Sequence, residues 1–145
     1  MTRLTTDEAL AIITAARAYR RASGAPPLAY AVVDDGGHLL AVARDESAGR
    51  LRAEIAINKA WSAAVMGFST ETLARQTTGY ENWFASLQGA AGGRLFASAG
   101  GLRVRRAETV IGAFAVAGGA SAEDVAVARQ AIEAAGLAIA EDTHT

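Results

Sequence analysis

The order in which strand-like and helix-like runs arrive limits the fold of this chain more than any other feature of its sequence. Leu28 to Val33 and His38 to Arg44 are rich in Val, Leu and Ala. They are joined by Asp34-Asp35-Gly36-Gly37, residues that tolerate the backbone angles of a tight turn, and they read as a β-hairpin. A second group comes much later. Arg94 to Ala99 and Thr109 to Ala117 have strand character, with Leu102 to Arg106 as a third run between them. Strands that arrive in hairpin-connected runs, instead of alternating with helices, predict an antiparallel sheet with helices packed on it. They argue against a doubly wound parallel sheet.

The helical segments carry their own punctuation. Thr5 and Glu8 form a capping-box pattern, and Leu10, Ile13 and Ala16 then share one face until Gly24 and two prolines intervene, predicting a helix over Thr6 to Ser23. From Leu51 to Phe68, Ala53, Ile57, Ala60 and Ala64 recur at helical spacing. Ser121 and Asp124 open a last helix that runs to Gly136. Residues 69 to 93 hold a short helical stretch, the aromatics Tyr80, Trp83 and Phe84, and a Gly-Ala run ending in Gly92-Gly93; so long a loop reads as a lid. The expected fold is α+β: one domain over residues 1–145, about five antiparallel strands flanked by helices, in the order α-β-β-α-(loop)-β-β-β-α, with Glu141 to Thr145 a frayed tail.

Composition narrows the function. With 145 residues, 51% hydrophobic and 20% charged, the chain suits a single packed domain. Its 14 basic and 15 acidic residues are scattered, so no cationic surface points to nucleic acid or anionic lipid as a partner. There is no cysteine, and of two histidines one, His144, lies in the tail, which leaves no disulfide, no thiolate and no multi-His metal site within one chain. Asp7 and Glu8 fall where a secretory signal needs its apolar core, and the longest uncharged stretch, Thr109 to Ala122, is too short to span a bilayer. A cytoplasmic protein without a membrane span is expected. Gly-Gly pairs at 36-37, 92-93, 100-101 and 118-119 lack the spacing of a phosphate cradle, and no GxSxG supports a serine hydrolase.

Several side chains could carry chemistry. Lys59 is the only lysine, set in an alanine-rich helix. If desolvated, it could act as a base, form a Schiff base or hold an anion; otherwise it is a surface lysine in an arginine-rich chain. On the same helix Glu54, Asn58 and Trp61 or Ser62 form a stripe apart from the packing face, either a binding face or a solvated one. His38, at the start of a strand, is either a proton shuttle or iron ligand, or a hairpin-end histidine in water. Tyr80, Trp83 and Phe84 either cover a cavity or fill a satellite core.

The run VVDDGGHLLAVAR, the helix EIAINKAWSAAVMG, the segment GGRLF followed by Gly100-Gly101, and TVIGAFAVAGGASAEDVAVARQAIEAA together resemble the GlcG/HbpS-like family of haem-binding and haem-degradation-associated proteins, over nearly the whole chain. They are similar also to the C-terminal domain of PduO-type corrinoid adenosyltransferases. The matching positions are Asp34, Gly36, Gly37, Lys59, Ala60, Gly92, Gly93, Arg94, Gly118, Gly119 and Asp124. The resemblance implies a profilin-like sheet with flanking helices, dimers assembled into larger rings, and ligands bound near subunit contacts. Two functions follow as expectations. In the first, haem or another flat hydrophobic ligand is bound: Asn58, Trp61, Tyr80, Trp83, Phe84, Gly118 and Gly119 line the site, Arg94 and Lys59 meet propionates, and His38 is the histidine ligand. In the second, a cofactor-free hydrolase, isomerase or lyase acts on a small carbonyl or imine compound, with Glu54 moving protons and Lys59 or Arg94 stabilising an oxyanion. Small apolar residues cover so much of the second helix that one sheet cannot bury them all; Trp61 and Val65 are left to meet a second copy, and a homo-oligomer is expected.

Overall fold

In the computed structural model, which describes residues 3–143, five helices and five strands follow in the order α1 (Thr6–Ser23), β1 (Ala29–Asp34), β2 (Leu39–Arg44), α2 (Arg52–Met66), α3 (Thr70–Thr77), α4 (Glu81–Ala90), β3 (Gly101–Arg106), β4 (Thr109–Ala117), α5 (Ser121–Ala134) and β5 (Ala138–Ile139). The strands form one antiparallel sheet in the order β2-β1-β4-β3-β5. Thr5 caps α1 in the expected box: its Oγ accepts from the Glu8 amide, and the Glu8 carboxylate accepts from the Thr5 amide.

Side-chain alternation along β1 and β4 gives the sheet two unlike faces. Tyr30, Val32, Phe114 and Val116 point to one side, where Ile12 and Ile13 of α1 and Val127 and Ile132 of α5 close a core of large side chains. Ala29, Ala31, Val33, Ala113, Ala115 and Ala117 point to the other, where α2 lays Ala56, Ala60 and Ala63 on them. Methyl against methyl lets α2 lie close to the sheet. A Cβ placed on Gly101 would lie 2.8 Å from the backbone oxygen of Lys59, so at that crossing the strand must carry glycine.

Four expectations are corrected. Residues 69 to 93 are not a loop: α3 and α4 occupy most of them, α3 started by Ser69, whose Oγ accepts from the Thr72 amide. Arg94 to Ala99 is not a strand. Its polar groups go to side chains instead, Leu95 exchanging two hydrogen bonds with the Gln88 amide (2.7 and 3.0 Å) and Phe96 N donating to Ser62 Oγ (2.9 Å). A fifth strand, the two-residue β5, pairs with β3 beyond the last helix. Glu141 and Asp142 are tied down, not frayed. Glu141 meets Arg129 in a two-bond fork (2.7 and 2.8 Å), and Asp142 accepts from Ser69 N (2.9 Å) and Ser69 Oγ (2.6 Å). His144 and Thr145, assigned to the tail, lie outside the described residues.

Candidate functional site

The C-terminal half of α2 runs against the turn between β1 and β2. Gly37 sits there with φ +83°, and a Cβ on it would come within 3.0 Å of Trp61 Cδ1 and 3.5 Å of Val65 Cγ1. Angle and space both require glycine, and its absent side chain is what seats the indole. The Arg94 guanidinium lies over that indole, 4.1 Å from the ring centroid, a cation–π contact. Arg94 is positioned by the hydrogen bonds of the two residues that follow it, Leu95 to the Gln88 amide of α4 and Phe96 N to Ser62 Oγ of α2.

The register of the hairpin extends this corner. Leu39 pairs with Val33 and Val42 with Ala31. Directly opposed residues share a face, so Leu39 and Val42 lie on the α2 side of the sheet, on the edge strand that the helix leaves partly uncovered. Leu39, Val42 and Val65 are 48%, 42% and 46% exposed, which is unusual for large aliphatic residues collected in one place. The result is an apolar ledge walled by Trp61 and Val65, with Arg94 at its rim. Asn58, half-buried, and Glu54, exposed, continue the stripe toward the start of α2.

His38 sits at the hairpin tip beside Gly37 with its side chain 81% exposed. Asp34 Oδ1 accepts from the amides of Gly36 (3.0 Å) and His38 (2.9 Å) and lies 3.2 Å from His38 Nδ1. Burial works against the Asp34 charge, but those amides and the imidazole outweigh it and hold the carboxyl below its ordinary range. The contact occupies Nδ1 and, among the described residues, leaves Nε2 without a hydrogen-bond partner.

Lys59 is buried at 3% exposure, so the surface-lysine reading does not hold. Its Nζ donates to Ala99 O (2.9 Å), Val116 O (3.0 Å) and Asp124 Oδ2 (3.3 Å), which uses all three of its hydrogens. Asp124 belongs to α5 on the far side of the sheet, so the ammonium joins the two helical layers around the ends of β3 and β4. The other Asp124 oxygen accepts from Gly119 N at 2.9 Å, which draws Gly118 and Gly119 into this tie and away from the ledge. Burial pushes the lysine down and the aspartic acid up, each toward its neutral form, and their mutual attraction opposes both shifts. Glu54 and Lys59 are five positions apart, about 140° around a helix. One faces solvent and the other the interior, and the structure does not bring them together.

Tyr80 and Trp83, 66% and 50% exposed, line a shallow cavity with Gln76 on the α3–α4 arm, separate from the ledge; Phe84 is half-buried. The candidate residues therefore divide among three places: the ledge, the Lys59–Asp124 tie and the arm. Leu39 and Val42 were not singled out from the sequence: three positions apart, they fall on opposite faces by strict alternation, and they share the α2 side only because the β1–β2 register shifts at a bulge between Val32 and Val33. Among the described residues no group of three His, Asp or Glu side chains is arranged to hold a metal ion, and no helix is long and apolar enough to cross a membrane.

An α2-covered antiparallel sheet with these glycines and this lysine defines a class. The family model described as haem degrading protein HbpS-like matches residues 4–133, and the chain belongs to that family. Among solved structures it is similar to Klebsiella pneumoniae protein ORFY, with a TM-score of 0.84 and 27% identity over 94% of this chain and 92% of that one. It is similar to HbpS with a TM-score of 0.79 and 26% identity over 92% and 90% of the two chains. It shares its fold with PduOC, crystallised as a haem complex, at a TM-score of 0.82 and 24% identity over 99% of both chains. No curated protein matches the sequence significantly.

Proposed function

We propose that the protein binds haem, or a ligand of the same flat and hydrophobic kind, on the ledge between α2 and the β2 edge, and that a second copy of the chain completes the site. The observation that carries this reading is the Arg94–Trp61 stack set beside exposed Leu39, Val42 and Val65, in a member of a haem-related family. The residues fit the group. Aliphatic and indole surface suits a macrocycle face, a guanidinium at the rim suits a propionate, and His38 offers an imidazole nitrogen at the hairpin tip. Bound haem would supply its own redox chemistry. The chain's part is to cover the ring, pair its carboxylates and exclude water. An open ledge buries only one side of such a ligand, and ligand sites normally enclose most of the ligand surface; a facing copy across a two-fold axis would cover the other side.

Titration with haemin, followed by absorbance, tests the ligand. Saturable binding at one haemin per chain or per pair of chains is expected, abolished by Trp61→Arg and weakened by Arg94→Ala, with an altered spectrum in His38→Ala. Absence of saturable binding overturns the reading, and an unaltered spectrum in His38→Ala removes the histidine from it. Light scattering tests the second copy: a monomeric mass for the haemin-loaded protein would leave the ledge half covered and the shared site refuted.

A further inference from the structure

We infer that Asp142 is a positioning residue for the ledge: from the C-terminal segment it holds the α3–α4 arm, and the arm in turn holds Arg94 over Trp61. Only the ligand-affinity step rests on the proposed function; the mechanical links are read from the contacts themselves.

The links run through five elements. After β5, Ala140 N donates to Arg103 O (3.0 Å), which keeps the segment alongside β3, and Glu141 grips Arg129 of α5. Asp142 then reaches the start of α3. One oxygen accepts from Ser69 Oγ (2.6 Å) and Thr72 Oγ1 (2.5 Å), and the other accepts from Ser69 N (2.9 Å), with Arg103 3.8 Å away. A carboxylate at this end also meets the positive pole of the helix.

The arm needs such a fastening. An eight-residue helix like α3 does not persist alone in water. Helix α4 has no buried residue, and among the described residues it packs against α3 and no other helix or strand. Its far end carries Gln88, whose amide makes both hydrogen bonds to Leu95, next to Arg94. Releasing Asp142 therefore loosens α3, then α4, then the Gln88–Leu95 clamp, and last the guanidinium on the indole. Thr70 remains as a second anchor through Gly101 N (2.9 Å), so the arm is loosened and not detached.

The experiment compares the full chain with its Asp142→Ala variant. Amide hydrogen exchange across α3 and α4 is expected to rise by about tenfold or more, with β1 and β4 unchanged. In a Trp83→Phe background, which leaves Trp61 as the sole tryptophan, acrylamide quenching of its fluorescence is expected to increase as Arg94 moves off the ring. Haemin affinity should fall by about three- to tenfold. Unchanged exchange in the arm overturns the strap. Faster exchange with unchanged Trp61 quenching overturns its coupling to the ledge. Failure of the parent protein to bind haemin removes the proposed function alone, because exchange and quenching still decide the role of Asp142.

Discussion

The two faces of the sheet are built from the same strands and behave oppositely. On the α1–α5 side, Tyr30, Phe114 and the branched aliphatics fill a thick core in which removed volume leaves a void. On the α2 side, an alanine floor meets an alanine helix, and the scarce commodity is space. The first face supplies most of the apolar burial. The second trades burial for close approach, which puts a helix backbone against Gly101 and lets Lys59 reach around the sheet ends to α5. Stability and positioning are thus divided between the two sides of one sheet.

Substitutions can break that division, and the largest effects should come where each face has least tolerance. Phe114→Ala is expected to cost about 3–5 kcal/mol by chemical denaturation, as for other buried aromatics replaced by alanine. Lys59→Met should cost a similar amount, about 3–5 kcal/mol, since it leaves Asp124 buried without its partner; the double variant Lys59→Met/Asp124→Leu should recover much of that loss, and failure to recover would mean the tie is more than a neutralised pair. Ala115→Val tests the crowded face. It adds volume and β propensity together, and it should nonetheless destabilise by about 1–3 kcal/mol, whereas a stabilising outcome would show that the α2 face has room.

The smallest effect belongs to the edge of the large-residue face. Glu8 caps α1 and forks with Arg106 of β3 at 2.8 and 2.9 Å, and the Arg106 hydrogen bonds are the main cause that lowers its pKa from 4.5 to about 2. A depressed carboxyl contributes stability that is complete above its unfolded value and is lost as pH falls through its folded one. Thermal stability should therefore decline between about pH 4.5 and pH 2, and Glu8→Gln should cost about 1 kcal/mol at neutral pH while flattening that decline.

Much of this architecture was legible in the sequence, for local reasons. Helix α1 carries its capping box and its stop, α2 and α5 carry helical spacing, and the first hairpin carries its turn. The errors fall where local signals are absent. Helix α4 has no buried face and no side-chain cap at Tyr80, so it leaves neither periodicity nor punctuation. Arg94 to Ala99 has the residues of a strand but no neighbouring strand to pair with; side chains of Ser62 and Gln88 satisfy its polar groups instead. Trp61 stood out through the helical stripe it shares with Glu54 and Asn58, and Arg94 through the family resemblance, while the ledge they frame depends on hairpin register. Lys59 stood out as well, but its role depends on Asp124, 65 positions away, which no spacing rule reaches.

That separation has a consequence for the life of the chain before it is a protein. The acceptors for the Lys59 ammonium lie 40, 57 and 65 residues downstream, and β1 waits for β4 to be its central neighbour. As the polypeptide leaves the ribosome, α2 can be made and coiled long before anything exists to receive its charge. Docking it early would bury a naked cation, so the helix should remain off the sheet until the last quarter of the chain has emerged. A nascent chain ending at Ser98 should accordingly show no protected core, and arrest points moved past Asp124 should show protection of β1 and α2 appearing together.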